Sequence, residues 1–322
     1  MTKLKARLFL FLICAVFISP AVYANQNPFI KAMYLSDKYM RDAVVSMWST
    51  ESLSWRAQLF QTACTDDFTA INQEIAASYS LVHDHILDQA ILNGELITEN
   101  DKKALEDVAK LHYKIYSSAY RYGYIYRLKV IQKFHPEINP EFCRDAEQMS
   151  QQFPSDSGVF LPSRHTGNLQ NEKWRENILA MRIINKRLFP AYLKRQQQYS
   201  HLVDAQIYAM MNDDKDSYVA FSEVTRSQSY KNLLMAEIAK ARELAINRKL
   251  PNSPWLAGYL NKAETWLWQA YAQSTISALK RIEEKYPEVY LDIKQHMGSY
   301  IELQLSVLEA DKEQIKQSNE KN

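Results

Sequence analysis

From Thr98 to Phe134 the chain carries one helical pattern without a stop signal, and that single stretch limits the protein to few architectures. Thr98 with Asp101 three residues on has the form of a capping box, Asp standing where Glu or Gln is usual, and His135-Pro136 ends the run. At about 100° per residue, Tyr113, Tyr116, Tyr120 and Tyr124 share one stripe. Val108, Leu111, Ile115, Ala119, Tyr122 and Tyr126 lie roughly opposite. A helix apolar on two faces is expected at the centre of a bundle, covered from both sides. The alternative is that the tyrosine stripe is open and offers ring faces and hydroxyls to a carbohydrate or a partner protein.

Helix is favoured elsewhere too. Only six of 322 residues are glycine, against a usual share of about 7%, and Leu, Ala, Glu, Lys, Gln and Arg are plentiful. The expected fold class is all-α: a bundle of long antiparallel helices, divided into two helical subdomains or merged into one core. No convincing period of 30 to 45 residues supports a helical-repeat reading.

Residues 1–24 have the grammar of a signal peptide. Lys3, Lys5 and Arg7 precede an apolar run over residues 8–18, and Val22-Tyr23-Ala24 offers small residues where a signal peptidase reads, so cleavage is expected after Ala24. The run is too short to span a bilayer comfortably, and no later stretch approaches a membrane span. The expected location is the periplasm or the outside of the cell. Without the three leader cations, 36 basic residues face 37 acidic ones, so the remaining 298 residues are almost neutral. Nucleic acid is therefore not expected as a partner. Losing Cys14 with the leader leaves Cys64 and Cys143 as an even pair, and in an oxidising compartment a disulfide between them is expected.

Start and stop signals place the first helix from Asn27-Pro28 to about Ser49, a second over 52–62, and a third from Asp66 or Asp67 to Asn93-Gly94. After the long helix comes a shorter one from Pro140 to about Gln152. Residues 153–170, with Pro154, Gly158, Pro162 and Gly167, lack helical periodicity and read as a linker or loop between an N-terminal bundle over 25–152 and a C-terminal bundle over 171–322. The second half is expected to hold one helix over 171–211, bent at Pro190, then helices over 217–248 and 254–286. A last one starts at Pro287 and frays in the polar tail after Glu309.

Between two expected helices, residues 212–223 resemble the loop of an EF-hand. Asn212, Asp214 and Asp216 stand at positions one, three and five, Tyr218 would offer its carbonyl at seven, and Glu223 is the twelfth-position carboxylate. Calcium is the cofactor this resemblance implies. Ser217 in place of the turn glycine and Asn212 in place of the first aspartate should weaken it. The competing reading is an Asx turn capping the next helix.

Other constellations are less specific. Trp255, Tyr259 and Trp266 share a face near the start of the expected helix over 254–286, whereas Trp268 is rotated by about 200° from Trp266 and would be the exposed member. His83-Asp84-His85 cannot easily hold one ion, because side chains two apart on a helix point nearly oppositely. His112, His165 and His201 are isolated. No catalytic or cofactor motif of real specificity is present, and no cofactor is expected apart from calcium.

The function expected on these grounds is that of an exported, non-catalytic protein that binds another macromolecule as an adaptor, inhibitor, chaperone or envelope component. Its partner would be a protein or an envelope glycan, met at Tyr113, Tyr116, Tyr120, Tyr124 and Trp268 if those side chains are open. The alternatives are a helical enzyme acting on an envelope polysaccharide or peptide, with His165 or His112 in an open cleft, and a calcium-stabilised binding module.

Overall fold

A computed structural model describes residues 27–50, 53–96, 98–154, 172–198, 200–225, 236 and 255–320. The expected signal peptide and the expected linker therefore lie outside the described residues, apart from the first two linker positions. The fold is all-α. Among the described residues the helices are α1 (Pro28–Thr50), α2 (Leu53–Thr65), α3 (Thr69–Ala77), α4 (Tyr79–Leu92), α5 (Glu99–Phe134), α6 (Asn139–Gln152), α7 (Glu172–Gln198), α8 (Ser200–Met211), α9 (Lys215–Thr225), α10 (Trp255–Lys285) and α11 (Pro287–Glu320), with a 3-10 turn at Pro136–Ile138.

Local chemistry explains most boundaries. Asp101 N donates to Thr98 Oγ1 at 3.1 Å and Thr98 N to Asp101 Oδ2 at 3.2 Å, so the capping box closes in both directions. The same carboxylate accepts from Lys31 Nζ at 3.0 Å and ties the start of α5 to α1. Helix α4 ends on Gly94, whose φ of +66° places it in the left-handed region; Gly94 N donates to Ile91 O and Glu95 N to Ala90 O, each at 2.9 Å. These two bonds form a Schellman stop.

Two expected boundaries are corrected. The third helix is broken at Ser78, whose hydroxyl bonds both Ile75 O at 3.2 Å and Tyr113 Oη at 2.6 Å. Pro190 lies inside α7 without ending it, in keeping with one expected helix running across it. At the other end, α11 stays helical to Glu320, beyond the expected fraying point.

Helix α5 is the axis of the molecule. It packs against α10, α1, α4, α2 and α7, and one hydrophobic core runs without interruption from Phe29 on α1 to Ile282 on α10. The division expected at 153–170 is thus not a division of the core: Trp266, Tyr271 and Ala278 of the second half are buried in the same cluster as Leu105, Tyr113 and Leu128 of the first. Where α5 crosses α10 the approach is close. A Cβ on Gly123 would sit 3.0 Å from Tyr271 Cδ2 and closer still to Ser274 Oγ, which explains the one glycine within α5.

Cys64 on α2 and Cys143 on α6 form a disulfide with Cα atoms 5.7 Å apart, closing a separation of 79 residues. In the chain-entropy model a loop of that length gives stabilisation on the order of 4 kcal/mol. A second, small apolar cluster lies at α8, α9 and α11, formed by Leu202, Ala205, Tyr208, Phe221 and Ile301. None of the described helices is long and apolar enough to cross a membrane.

Candidate functional site

The tyrosine stripe is interior. Tyr113, Tyr116, Tyr120 and Tyr124 are at most 6% exposed, which overturns the open-surface alternative. The reason is topological, since α4, α10 and α2 close over this face of α5. Each neighbour supplies a partner: Tyr113 Oη meets Ser78 Oγ, Tyr116 Oη donates to Gln273 Oε1 at 2.6 Å, and the Tyr124 ring lies 5.9 Å from that of Phe60. Burial pushes the phenols of Tyr116, Tyr120 and Tyr124 upward, so they stay neutral. Trp266 is fully buried, and Trp268 is half-buried against the core rather than presented to a partner.

At the centre of this packing the imidazole of His112 stacks on the Trp266 indole, ring centroids 3.6 Å apart. Its Nδ1 faces Ser36 Oγ at 2.9 Å, while Nε2 has no hydrogen-bond partner. Trp266 Nε1 donates to Asp37 Oδ1 at 3.0 Å, and Lys262 Nζ reaches Oδ2 of the same carboxylate at 2.5 Å. Desolvation, reinforced by Lys262, holds His112 well below the usual imidazole range and therefore neutral. A serine beside a histidine suggests acyl-transfer chemistry, but Ser36 and His112 are 0% and 1% exposed. This arrangement locks α1, α5 and α10 together. His165, the other histidine expected in an open cleft, lies outside the described residues.

A second buried polar group sits lower on α5. Arg127 pairs with Asp204 of α8, and both groups face Tyr271, whose phenol is pushed upward first by burial and then by Asp204. Burial opposes the charge on Arg127, yet Asp204 outweighs it and raises the guanidinium further.

The calcium-loop expectation is corrected by where helix α9 begins. An EF-hand keeps its ligands on irregular chain, whereas here helix starts at Lys215, so Asp216 lies on its first turn and the Tyr218 carbonyl in its ladder. Asp214 Oδ1 accepts from Ser217 N at 3.1 Å as an N-cap, and Asn212 Nδ2 donates back to Tyr208 O at 2.9 Å. Asp213 takes a left-handed φ of 54°, and Asp214 N closes on Ala209 O at 2.9 Å. The same residue types thus serve a Schellman stop followed by a cap. Glu223 lies on α9. Among the described residues no group of three or more His, Cys, Asp or Glu is placed to hold a metal. His83, buried on α4, uses Nδ1 on Tyr79 O at 2.9 Å and Nε2 beside Asp84 at 3.0 Å, roles that are structural.

Helix α11 packs on the main core through Val289, Tyr290 and Ile293 and is largely open beyond them. Of its residues whose side chains are described, only Ile301 is buried, seated in the small cluster with Met297 and Leu305 packed around it. Leu303 and Val307 are 57% and 47% exposed, and by helical rotation they lie about 200° and 240° around from Ile301. The helix therefore has an inward stripe and an outward apolar pair four residues apart. Periodicity along 297–308 would have found this pair from the sequence, as it found the two stripes of α5.

Fold and site together define, over the described residues, an all-α protein with one main core and a smaller apolar cluster, an internal disulfide and a long helix α11 that carries an exposed apolar pair. Compared with protein-family models, curated proteins and solved structures, the chain shows no significant match.

Proposed function

We propose that this is an exported helical protein that binds another macromolecule through the outer face of α11, acting as an adaptor, inhibitor, chaperone or envelope component of the periplasm or the cell exterior. The observation that carries the reading is the Leu303 and Val307 pair, exposed on the side of α11 away from Ile301. Single exposed leucines are ordinary, but apolar residues four apart on one helix face match the way a helix is read by a groove. A protein partner suits this chemistry better than a glycan, since the pair offers no hydrogen-bonding group and the aromatic residues first expected to meet a sugar are internal or half-buried.

Native mass spectrometry of the protein purified gently from the envelope fraction of its host tests the proposal. A bound protein mass in the wild type that disappears in L303K/V307K supports it. A bare chain in both samples, or a partner retained by the double variant, contradicts it.

A further inference from the structure

We propose that the partner of α11 is a protein with an apolar groove edged on one side by Lys or Arg, so that charge as well as burial selects it. This rests on the outer face of α11 being the binding face, and adds the chemistry of what that face meets.

The observation is a row of carboxylates beside the apolar pair. With Leu303 as origin and about 100° per residue, Val307 lies about 40° to one side and Ala310 about 20° to the other. Beyond Ala310, on the same side, come Glu313, Glu302 and Glu309 at about 80°, 100° and 120° from Leu303. The three carboxylates thus share one flank, and all are exposed, as is Ala310. Among the described residues none of the three has an ion-pair partner. Glu309 and Glu313 also stand one turn apart, where like charges repel along a helix. That repulsion is a cost to α11 alone, and a cation brought from outside removes it.

The same pattern tells a different protein from a second copy of this chain. Residues 300–311 contain no Lys or Arg. A second α11 laid antiparallel on this face would set the row against its own counterpart, carboxylate against carboxylate. Laid parallel, it would still bring no cation from this stretch. Like charges brought together across an interface reject a partner as effectively as a steric clash. A groove with a cationic rim gains on both counts: Leu303 and Val307 fill its floor, and the rim meets the row at the edge.

The two contributions separate physically. Charges at the edge of an interface set the encounter rate and the salt dependence, whereas the buried pair sets how long the complex lasts.

The test uses the full chain purified from the envelope fraction of its host, and the probe is the protein that elutes from wild type and is not retained by L303K/V307K. This eluted protein is titrated against wild type and against E302Q/E309Q/E313Q in about 50 and about 300 mM NaCl. Wild-type affinity should fall about tenfold between the two salt concentrations, while the triple variant should start about tenfold weaker and change little. The triple variant should melt at or above the wild-type temperature, because the Glu309–Glu313 repulsion is gone. Wild-type affinity that ignores salt, or a triple variant that binds like wild type, overturns the cationic rim and leaves α11 as the binding face. So does an eluted protein that is the chain itself. No protein held by wild type, or one that L303K/V307K holds equally, overturns both.

Discussion

His112 and Trp266 lie face to face, their planes 13° from parallel and their ring centroids 3.6 Å apart, and this contact joins α5 to α10 across more than 150 residues of sequence. The pair is held from both sides, by Ser36 at the imidazole and by Asp37 at the indole, two successive residues of α1. Three helices distant in the chain are thereby fixed in one register, and a charge on His112 would have to be accommodated where Nε2 has no partner.

Acid should therefore weaken the fold well before the carboxylates titrate. Burial lowers His112 below its unfolded value near 6.5, so the unfolded chain takes up a proton that the native chain refuses. Stability is fully present above about pH 6.5 and is lost as pH falls, by up to about 1.4 kcal/mol per pH unit for one proton. His83 is lowered in the same direction, chiefly by burial, and adds to the slope. Urea unfolding at pH 7.5 and 5.5 measures the effect, and H112F should flatten the difference by about half. An equal slope in wild type and H112F would exclude His112 as a cause.

The crossing of α5 and α10 should not tolerate a methyl group. A Cβ at Gly123 meets Ser274 Oγ, Tyr271 Cδ2 and Tyr271 O, so G123A should cost about 1 to 3 kcal/mol despite alanine's better helix propensity. G123A/S274A removes the nearest obstacle but leaves the Tyr271 contacts, and should recover part of the loss. If G123A is as stable as wild type by thermal melting, the helices cross less closely than described here.

Arg127 and Asp204 should behave as a buried pair whose members cannot be removed singly. Their side chains are 7% and 17% exposed, so D204A leaves a buried guanidinium uncompensated and should cost roughly 3 to 5 kcal/mol. Replacing both, as in R127M/D204L, should cost clearly less than the sum of the singles. A double-mutant cycle that proves additive would rule out direct coupling.

At the turn between α8 and α9, D214A should lose about 1 kcal/mol because Ser217 N loses its cap. That loss should be the same with and without millimolar calcium. A calcium-induced rise in melting temperature in wild type but not in D214A would restore the metal-loop reading.

Much of the local structure could be read directly. Thr98 with Asp101, Gly94, and His135-Pro136 mark boundaries because caps and stops act over three or four residues, and these are the boundaries observed. The two stripes of α5 showed that it would be covered on both faces. They could not show which helices do the covering, since the partners of Tyr113 and Tyr116 lie on α4 and its entry turn and on α10, and nothing in α5 encodes that pairing. Asn212, Asp214 and Asp216 misled for a different reason: a calcium loop and a helix cap draw on the same short oxygen-bearing side chains. The position where α9 begins separates them, and that is set by tertiary packing of Ser217 and Phe221 as much as by local sequence.

The central claim, that the outer face of α11 is where this protein meets its partner, is tested most directly by placing a photo-crosslinking amino acid at Leu303 in the full chain, expressed in its own host. The account predicts one dominant protein adduct on irradiation, absent when the crosslinker replaces Arg144, an exposed residue on α6 that carries no such face, and lost when V307K is added. Equal labelling from Leu303 and Arg144, or an adduct unaffected by V307K, would contradict it.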